Sequence, residues 1–341
     1  MKPRDIFLAS IVKEKTPRAA VGSATSVVTT DLMEKVDAFF PEVHLDGSTM
    51  ATLAAAGHEE LGLDNVMPLF SVWHECAALG CKVNLGDKYR MPDSHGSLIS
   101  DINEDINFSS NFLTKPSCVA PLKAISLLKK RFQDEVAVIG KVFGPWTLAY
   151  HIYGVQEFLM ATLTDPDAVK RILHKLKVIT ITFAKAQLDA GADALTLADH
   201  CTRDLCSPDA YRDFIQDIHS EFHESIPAKL ILHICGDTSD RIGYISSTGI
   251  ECFHFDSKVP SSEARKLAGS KLSLMGGTSN LEIILNGNKK MIVEDVAEKI
   301  RNNVDILGPE CAVPLNASYK KLQLFAEESK KQSLINAKQR N

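Results

Sequence analysis

No excess of positive charge runs through this sequence. Its 38 Lys and Arg stand against 43 Asp and Glu, a formal net charge of −5. Without a basic field to gather phosphates, nucleic acid is excluded as the expected partner. No apolar run approaches the roughly 20 residues of a membrane span, which excludes membrane insertion by a helix. The opening Met1-Lys2-Pro3-Arg4-Asp5 lacks the charged-then-apolar pattern of a secretory leader. Eight cysteines (Cys76, Cys81, Cys118, Cys201, Cys206, Cys235, Cys252 and Cys311) then read as reduced thiols of a cytoplasmic protein, most of them small buried hydrophobes. A Gly-x-Ser-x-Gly elbow is missing, which argues against a serine hydrolase, and so is a Walker loop. Neither Gly22 nor Gly276-Gly277 extends to a dinucleotide fingerprint.

What is present is an ordinary globular composition, 45% hydrophobic and 24% charged over 341 residues, enough for one large domain or two smaller ones. Short apolar runs alternate with helical patterns along most of the chain. Eight strand candidates emerge, at residues 19–23, 65–72, 135–142, 192–199, 229–235, 250–255, 272–275 and 305–307. They are largely non-alternating, as parallel strands covered on both faces are. Helices are predicted over about 4–14, 31–40, 48–61, 73–81, 147–163 and 166–190, the last capped by Asp165 with Pro166 at its first position. Eight such units favour a (β/α)8 barrel, with an open doubly wound sheet as the alternative. The expected layout is a single barrel domain over 1–341. It carries an N-terminal helical extension and an irregular excursion at about 82–117, including Ser94-His95-Gly96, of the kind that usually gates a site.

The chemistry concentrates in Leu230-Ile231-Leu232-His233-Ile234-Cys235-Gly236. On a strand, residues i and i+2 share a face, so His233 and Cys235 point the same way where the strand runs into its loop. A barrel's active site lies at that end of its strands. The same rule selects Asp199 and His200 after the fourth strand candidate, Asp256 after the sixth and Cys311 after the eighth. His233, Cys235 and Cys311 then form a set of three metal ligands with a fourth position open, the pattern of catalytic zinc. The plain alternative for His233 is a core histidine with a satisfied partner. Asp199 and Asp256 are candidates for acid, base or outer partner to the His233 imidazole. His254 shares the face of Asp256 and either lines the cofactor cavity or packs. Two further sets, His74 with Cys76 and Cys81, and Cys201 with Cys206, read as structural or peripheral.

At this point the chain resembles the uroporphyrinogen decarboxylase superfamily, and within it the zinc-dependent methylcobamide:coenzyme M methyltransferases. The resemblance runs from residue 144 to 314 most clearly. It is carried by Gly144-Pro145-Trp146-Thr147-Leu148, by Ala190-Gly191-Ala192-Asp193-Ala194 with Ala198-Asp199 and Ser207-Pro208, by His233-Ile234-Cys235-Gly236, and by Cys311 with Pro314. Weaker similarity around Pro41-Glu42 and His58-Glu59 extends it toward the N-terminus. The resemblance implies a methyl transfer from a methylated corrinoid, carried by a partner protein, to a small thiol such as coenzyme M held on Zn2+. It also implies cofactor-side roles for Gly144 and Thr147 and, for Asp256, the fourth zinc position or the acceptor of the released proton.

Two departures bear on this. Residues 19–30 contain no Arg where the decarboxylases carry an Arg-rich motif for substrate carboxylates, which argues against porphyrinogen decarboxylation. Ala312 stands where the methyltransferases usually place a glycine, with Glu310 before the cysteine, and this leaves the methyl acceptor open. The alternatives are a transfer from an ether, amine or thioether onto Co(I), a metal-free decarboxylase, and a non-catalytic barrel that carries a corrinoid or tetrapyrrole.

Overall fold

The structure is a computed structural model that describes every residue except 72, 95, 105, 107, 109, 110 and 341, and the side chain of residue 340. Eight parallel strands form one sheet: β1 (Ala20–Val21), β2 (Asn65–Val66), β3 (Ala137–Phe143), β4 (Ala194–Ala198), β5 (Lys229–His233), β6 (Cys252–Phe255), β7 (Ser273–Thr278) and β8 (Ile306–Pro309). Their spatial order is β1-β8-β7-β6-β5-β4-β3-β2, with every neighbouring pair parallel. Helices cover the outside, and the fold is a (β/α)8 barrel. Covering on both faces explains the apolar runs. All seven residues of β3 are buried, and each fully buried Val, Leu or Ile contributes roughly 1.5–3 kcal/mol.

The barrel closes between β1 and β2 without a regular ladder. Asp64 N–H donates to the Val21 carbonyl at 2.7 Å, and the Asp64 carboxylate accepts the Val21 N–H at 2.9 Å. The Asn65 amide does the same for Ser23, accepting its N–H at 3.0 Å and donating to its carbonyl at 2.9 Å. Asp64 is fully buried, and the Arg18 guanidinium grips both its oxygens at 2.7 Å, which compensates the buried charge.

Asp165 caps the helix Pro166–Asp189 by accepting the Ala168 N–H at 3.1 Å, with Pro166 at its first position as the sequence predicts. Two expectations need correction. The helix predicted over 147–163 is two helices, Pro145–Tyr153 and Val155–Thr164, broken at Gly154, because the apolar spacing runs on across a glycine at φ 93°. The strand predicted over 65–72 pairs only at Asn65 and Val66. Beyond them Pro68 has no N–H for a ladder, and Val72 lies outside the described residues.

Part of the excursion at 82–117 folds as an antiparallel pair, Val83–Asn84 with Asp93–Ser94. His95 lies outside the described residues. Leu98 and Ile99 tie the excursion to the end of the helix Pro145–Tyr153 by donating to the Ile152 carbonyl at 2.8 and 2.9 Å. Met91 and Pro92 of this segment form part of a cavity wall at the carboxyl ends of the strands. Among the described residues, no helix is long and apolar enough to cross a membrane.

Candidate metal centre

His233 is the last residue of β5 and Cys235 follows two positions on, so both side chains turn toward the mouth of the barrel. Cys311 arrives just after β8. His233 Nε2 lies 3.0 Å from Cys235 Sγ and 3.5 Å from Cys311 Sγ, and the two sulfurs are 3.0 Å apart. Zinc bonds of about 2.0 Å to nitrogen and 2.3 Å to sulfur place tetrahedral donors roughly 3.4–3.8 Å apart. The three donors therefore stand within about 1 Å of a zinc-binding triangle, and the soft His-Cys-Cys set suits that ion. Among the described residues, this is the one group of His, Cys, Asp and Glu with metal-ligand convergence.

Each donor is held by its surroundings. His233 Nδ1 lies 3.3 Å from the His254 carbonyl, which can only accept, so Nδ1 carries the proton and Nε2 presents a lone pair to the thiols. The contact between the thiols splits their acidities. Cys311 drops well below the ordinary thiol range chiefly because Cys235 donates to it. Cys235 is pushed well above that range by the same hydrogen bond and by burial.

Gly236 sits at φ 82°, a conformation costly for residues with a side chain. A Cβ there would lie 2.4 Å from Thr202 Oγ1. Its N–H donates to Asp256 Oδ2 at 2.8 Å, and Asp256 Oδ1 accepts the Lys258 N–H at 2.9 Å. On the other side, Glu310 accepts the N–H groups of Asn280 and Ser257 at 2.7 and 3.1 Å, while the Asn280 amide donates to the Ala312 carbonyl at 2.9 Å. The residues flanking Cys311 are thus pinned to the loops after β6 and β7.

The carboxylates read as acid, base or outer partner to the His233 imidazole make their hydrogen bonds to other groups. Asp199 Oδ1 accepts the Thr147 N–H at 2.8 Å and hydroxyl at 2.9 Å, and its Oδ2 lies 3.2 Å from His219 Nε2. The strand end turns Asp199 toward the helix Pro145–Tyr153, leaving the His254 carbonyl as the partner of His233 Nδ1. Asp256 has both oxygens taken by backbone amides. Gly144 makes room for Asp199, since a Cβ on it would lie 2.1 Å from the Asp199 carboxyl carbon. His254 is fully buried behind His233, ring centroids 4.5 Å apart, and its Nε2–H donates to the Pro309 carbonyl at 2.8 Å. Burial keeps it neutral, well below the usual histidine range.

A cavity of about 340 Å³ opens over the triangle. Its wall includes His233, Cys235, Cys311, Thr147, Asp199 and Lys141, with Phe70, Trp73, Phe143 and Tyr150 as its aromatic part. Gly144, His254 and Asp256 stand behind that wall. His200 reaches the cavity with Nδ1 3.0 Å from the Tyr150 hydroxyl. A larger hollow of about 520 Å³ lies at the amino ends of β1 and β8, around Lys13, Arg18 and Asp305. It contains none of the convergent donors, and barrel chemistry belongs to the other face.

Comparison with known families agrees with this geometry. The family described as Uroporphyrinogen decarboxylase (URO-D) matches residues 2–332. The chain belongs to the uroporphyrinogen decarboxylase family. Among its relatives, a methylated-thiol–coenzyme M methyltransferase of Methanosarcina mazei is 30% identical over 97% of this chain and 89% of its own. The methylcobamide:CoM methyltransferase MtaA of Methanosarcina barkeri is 28% identical over 90% of this chain and 91% of its own. The solved structure of a methyltransferase from Methanosarcina mazei superposes with a TM-score of 0.94 at 25% identity, covering 97% of this chain and 99% of that one.

Sequence reading of this uroporphyrinogen decarboxylase family chain passed over Lys141. It appears there as one residue in a β-branched run, with nothing to show which face it takes. The one available signal was a lysine inside an otherwise apolar strand, a position that a solvated lysine does not occupy.

Proposed function

We propose that this chain is a methyltransferase that moves a methyl group from a methylated corrinoid, carried by a partner protein, to a small thiol. The observation that carries the reading is the convergence of His233, Cys235 and Cys311 in the wall of a cavity at the carboxyl ends of the strands. The activities that two relatives are named for, transfer to coenzyme M from methylcobamide or methylated thiol, support it. His233, Cys235 and Cys311 would hold zinc, which would supply a positive charge that favours the thiolate of an incoming thiol at neutral pH, where a free thiol is mostly protonated.

The protein's own groups set the rest. Cys235 and Cys311, as thiolates, return negative charge to the site, so the acceptor sulfur stays electron-rich and nucleophilic. A cavity of about 340 Å³ is too small for a corrinoid, which stays at the mouth beside the segment carrying Met91 and Pro92. The acceptor sulfur forms its bond to the methyl carbon as the cobalt–carbon bond breaks. The electron pair stays on cobalt, which passes from Co(III) to Co(I), and the thiol proton leaves to solvent.

Asp256 and Asp199 act as positioning residues, the first on the Gly236 turn and the second on Thr147, because their oxygens are already engaged. Thr147 lines the acceptor pocket and His254 orients His233. A second reading runs the transfer from a methylated thiol onto Co(I). The aromatic wall of Phe70, Trp73, Phe143 and Tyr150 favours it, since it suits the uncharged end of a thioether.

The test is metal analysis followed by spectroscopy of methylcobalamin mixed with protein and thiols. The expected result is about one zinc per chain and conversion of methylcobalamin to Co(I) only when thiol is present. Folded protein that binds no zinc overturns the site. Zinc-loaded protein that methylates no thiol but demethylates thioethers onto Co(I) favours the second reading.

A further inference from the structure

A second pair of thiols stands outside the metal centre, and the methyl transfer leaves it unused. Cys76 lies on the helix His74–Leu79, and Cys81 follows the turn that ends that helix. Gly80 makes the turn at φ 106°, a conformation that glycine adopts readily. The Cys81 N–H donates to the Cys76 carbonyl at 2.9 Å, and the Gly80 N–H to the Ala77 carbonyl at 3.1 Å. These two bonds make a Schellman motif, which brings the side chain after the glycine against the one five residues back. An apolar pair usually fills those two places. Here both are cysteines.

The two thiols differ in their setting. Cys76 is fully buried, whereas Cys81 is partly exposed. Cys76 donates a hydrogen bond to Cys81, which holds Cys81 below the ordinary thiol range and Cys76 well above it. The outer sulfur therefore favours the thiolate, and the inner one keeps its proton. A thiolate attacks disulfides and a thiol does not. The pair thus divides into an attacking cysteine at the surface and a resolving cysteine behind it.

Cys81 opens on a hollow of about 280 Å³, which Leu45, Ala77, Val83 and Leu85 also line. The hollow is distinct from the cavity over the metal centre, and the two walls share only Ser71 and Trp73. Its apolar part suits short carbon chains on either side of a sulfur–sulfur bond. Its polar part is unmatched: His74 Nε2 and Ser117 Oγ are both buried without a hydrogen bond. His74 Nδ1 faces the Ser117 carbonyl at 2.9 Å and so carries the ring proton. Nε2 then presents a lone pair, which a hydroxyl on the occupant can fill.

We propose that Cys81 and Cys76 form a thiol–disulfide exchange site that takes a small organic disulfide from this hollow. The Cys81 thiolate attacks one sulfur of the disulfide, forms a mixed disulfide and expels the first thiolate. With the charge on Cys81 gone, the Cys76 proton passes to that departing thiolate. Cys76 then attacks the Cys81 sulfur, forming the Cys76–Cys81 bond and expelling the second thiolate. The protein dithiol is oxidised by two electrons, and the small disulfide is reduced to two thiols. The new bond ties the start of the excursion, which carries Met91 and Pro92, to the helix that precedes it. This site stands apart from the methyl-transfer reading, and either can fail without the other.

The test treats the full chain, supplied with zinc, with bis(2-hydroxyethyl) disulfide and maps its tryptic peptides by mass. Lys35 and Lys82 bound a peptide, residues 36–82, whose only cysteines are Cys76 and Cys81. Oxidation at Cys235 and Cys311 is therefore read separately. The expected product is a 36–82 peptide lighter by two hydrogens, closed to alkylation and restored by dithiothreitol. It should form at least about 10-fold faster than any change at the fully buried Cys118 and Cys252. Cys76→Ser should stop at a mercaptoethanol adduct on Cys81. Cys81→Ser should leave Cys76 unmodified.

A wild-type peptide that stays reduced overturns the proposal, and that measurement needs no variant to fold. So does a pair that oxidises no faster than Cys118 and Cys252, because reaction then follows general unfolding rather than a built site. An adduct on Cys76 in Cys81→Ser, formed as fast as the wild-type bond, overturns the order of attack. Cys76→Ser protein that carries no adduct on Cys81 overturns it as well.

Discussion

The chain contains the pattern His-x-Cys twice, and only one copy brings its donors together with a third. His233-Ile234-Cys235 ends a strand, where residues two apart share a face. His74-Glu75-Cys76 opens the helix His74–Leu79, where residues two apart are about 200° apart around the axis. The strand copy brings its nitrogen and sulfur to 3.0 Å. The helix copy sends them to different neighbours. His74 Nδ1 lies 2.9 Å from the Ser117 carbonyl, and the fully buried Cys76 thiol meets Cys81 instead. Each copy also has a later cysteine. Cys311 comes from across the barrel and closes a triangle with both donors, while Cys81 comes from the end of the same helix and reaches only the other thiol. The donors and their spacing are the same in the two triplets. The period of the secondary structure decides which one can hold an ion.

The sharpest way to break the comparison is to remove one sulfur from each. Cys235→Ser and Cys311→Ser should each lower zinc affinity and methyl transfer by more than about 100-fold, beyond what outer partners of a metal site are worth. Cys76→Ser should keep zinc and activity. Its cost is to stability, roughly 1–3 kcal/mol for a hydroxyl at a fully buried site, read as a lower unfolding midpoint. Equal zinc loss in the two sets would show that the helix copy belongs to the metal site.

A smaller effect is expected one shell out. Asp256 holds the Gly236 N–H at 2.8 Å and with it the turn that aims Cys235, whereas among the described residues no comparable brace stands behind Cys81. Asp256→Ala should weaken zinc by about 10- to 100-fold, measured by competition with a chelator, while the protein remains folded. Unchanged zinc affinity would mean that the turn is held by its own geometry, and the role assigned to Asp256 would fail.

The same contrast explains what could be read before the structure. The strands were legible because helices cover them outside and side chains fill the barrel inside, so burial on both faces leaves runs such as Val136-Ala137-Val138-Ile139. His233, Cys235 and Cys311 were legible because strand ends in a barrel meet at one face, so a rule about topology stood in for contacts 76 residues apart. The closure of the barrel was not. Asp64 and Asn65 act through side chains that replace a ladder, and nothing in a single strand announces that its neighbour is missing. Gly154 was passed over because apolar spacing continues across the break. Lys141 and the true partner of His233 were invisible for a related reason. The first depends on which way one side chain of a buried strand points, and the second is a backbone carbonyl, which carries no residue-type signal.

Protonation gives the finest distinction between the two histidine clusters. His44 packs tilted against Phe40 with ring centroids 4.3 Å apart, and its ring lies 6.3 Å from that of His74. Both its ring nitrogens are buried without partners. Burial pushes His44 down to about 3 and His74 to about 4, from an ordinary value of 6.5, and nearby Lys141 adds to the effect. A depressed histidine leaves the folded chain with fewer protons than the unfolded one below pH 6.5. Stability is therefore intact above pH 6.5 and is lost as the pH falls from there toward about 4. At pH 5, one histidine fully held neutral corresponds to a loss on the order of 2 kcal/mol. His44→Leu keeps an apolar side chain in place and removes that proton. Urea unfolding at pH 8 and pH 5 should give the variant a smaller drop in stability than the wild type, by up to about that amount. An identical drop in both proteins would mean that His44 is protonated or solvated in the fold. The second cluster would then be a polar site in its own right rather than a packed neighbour of the first.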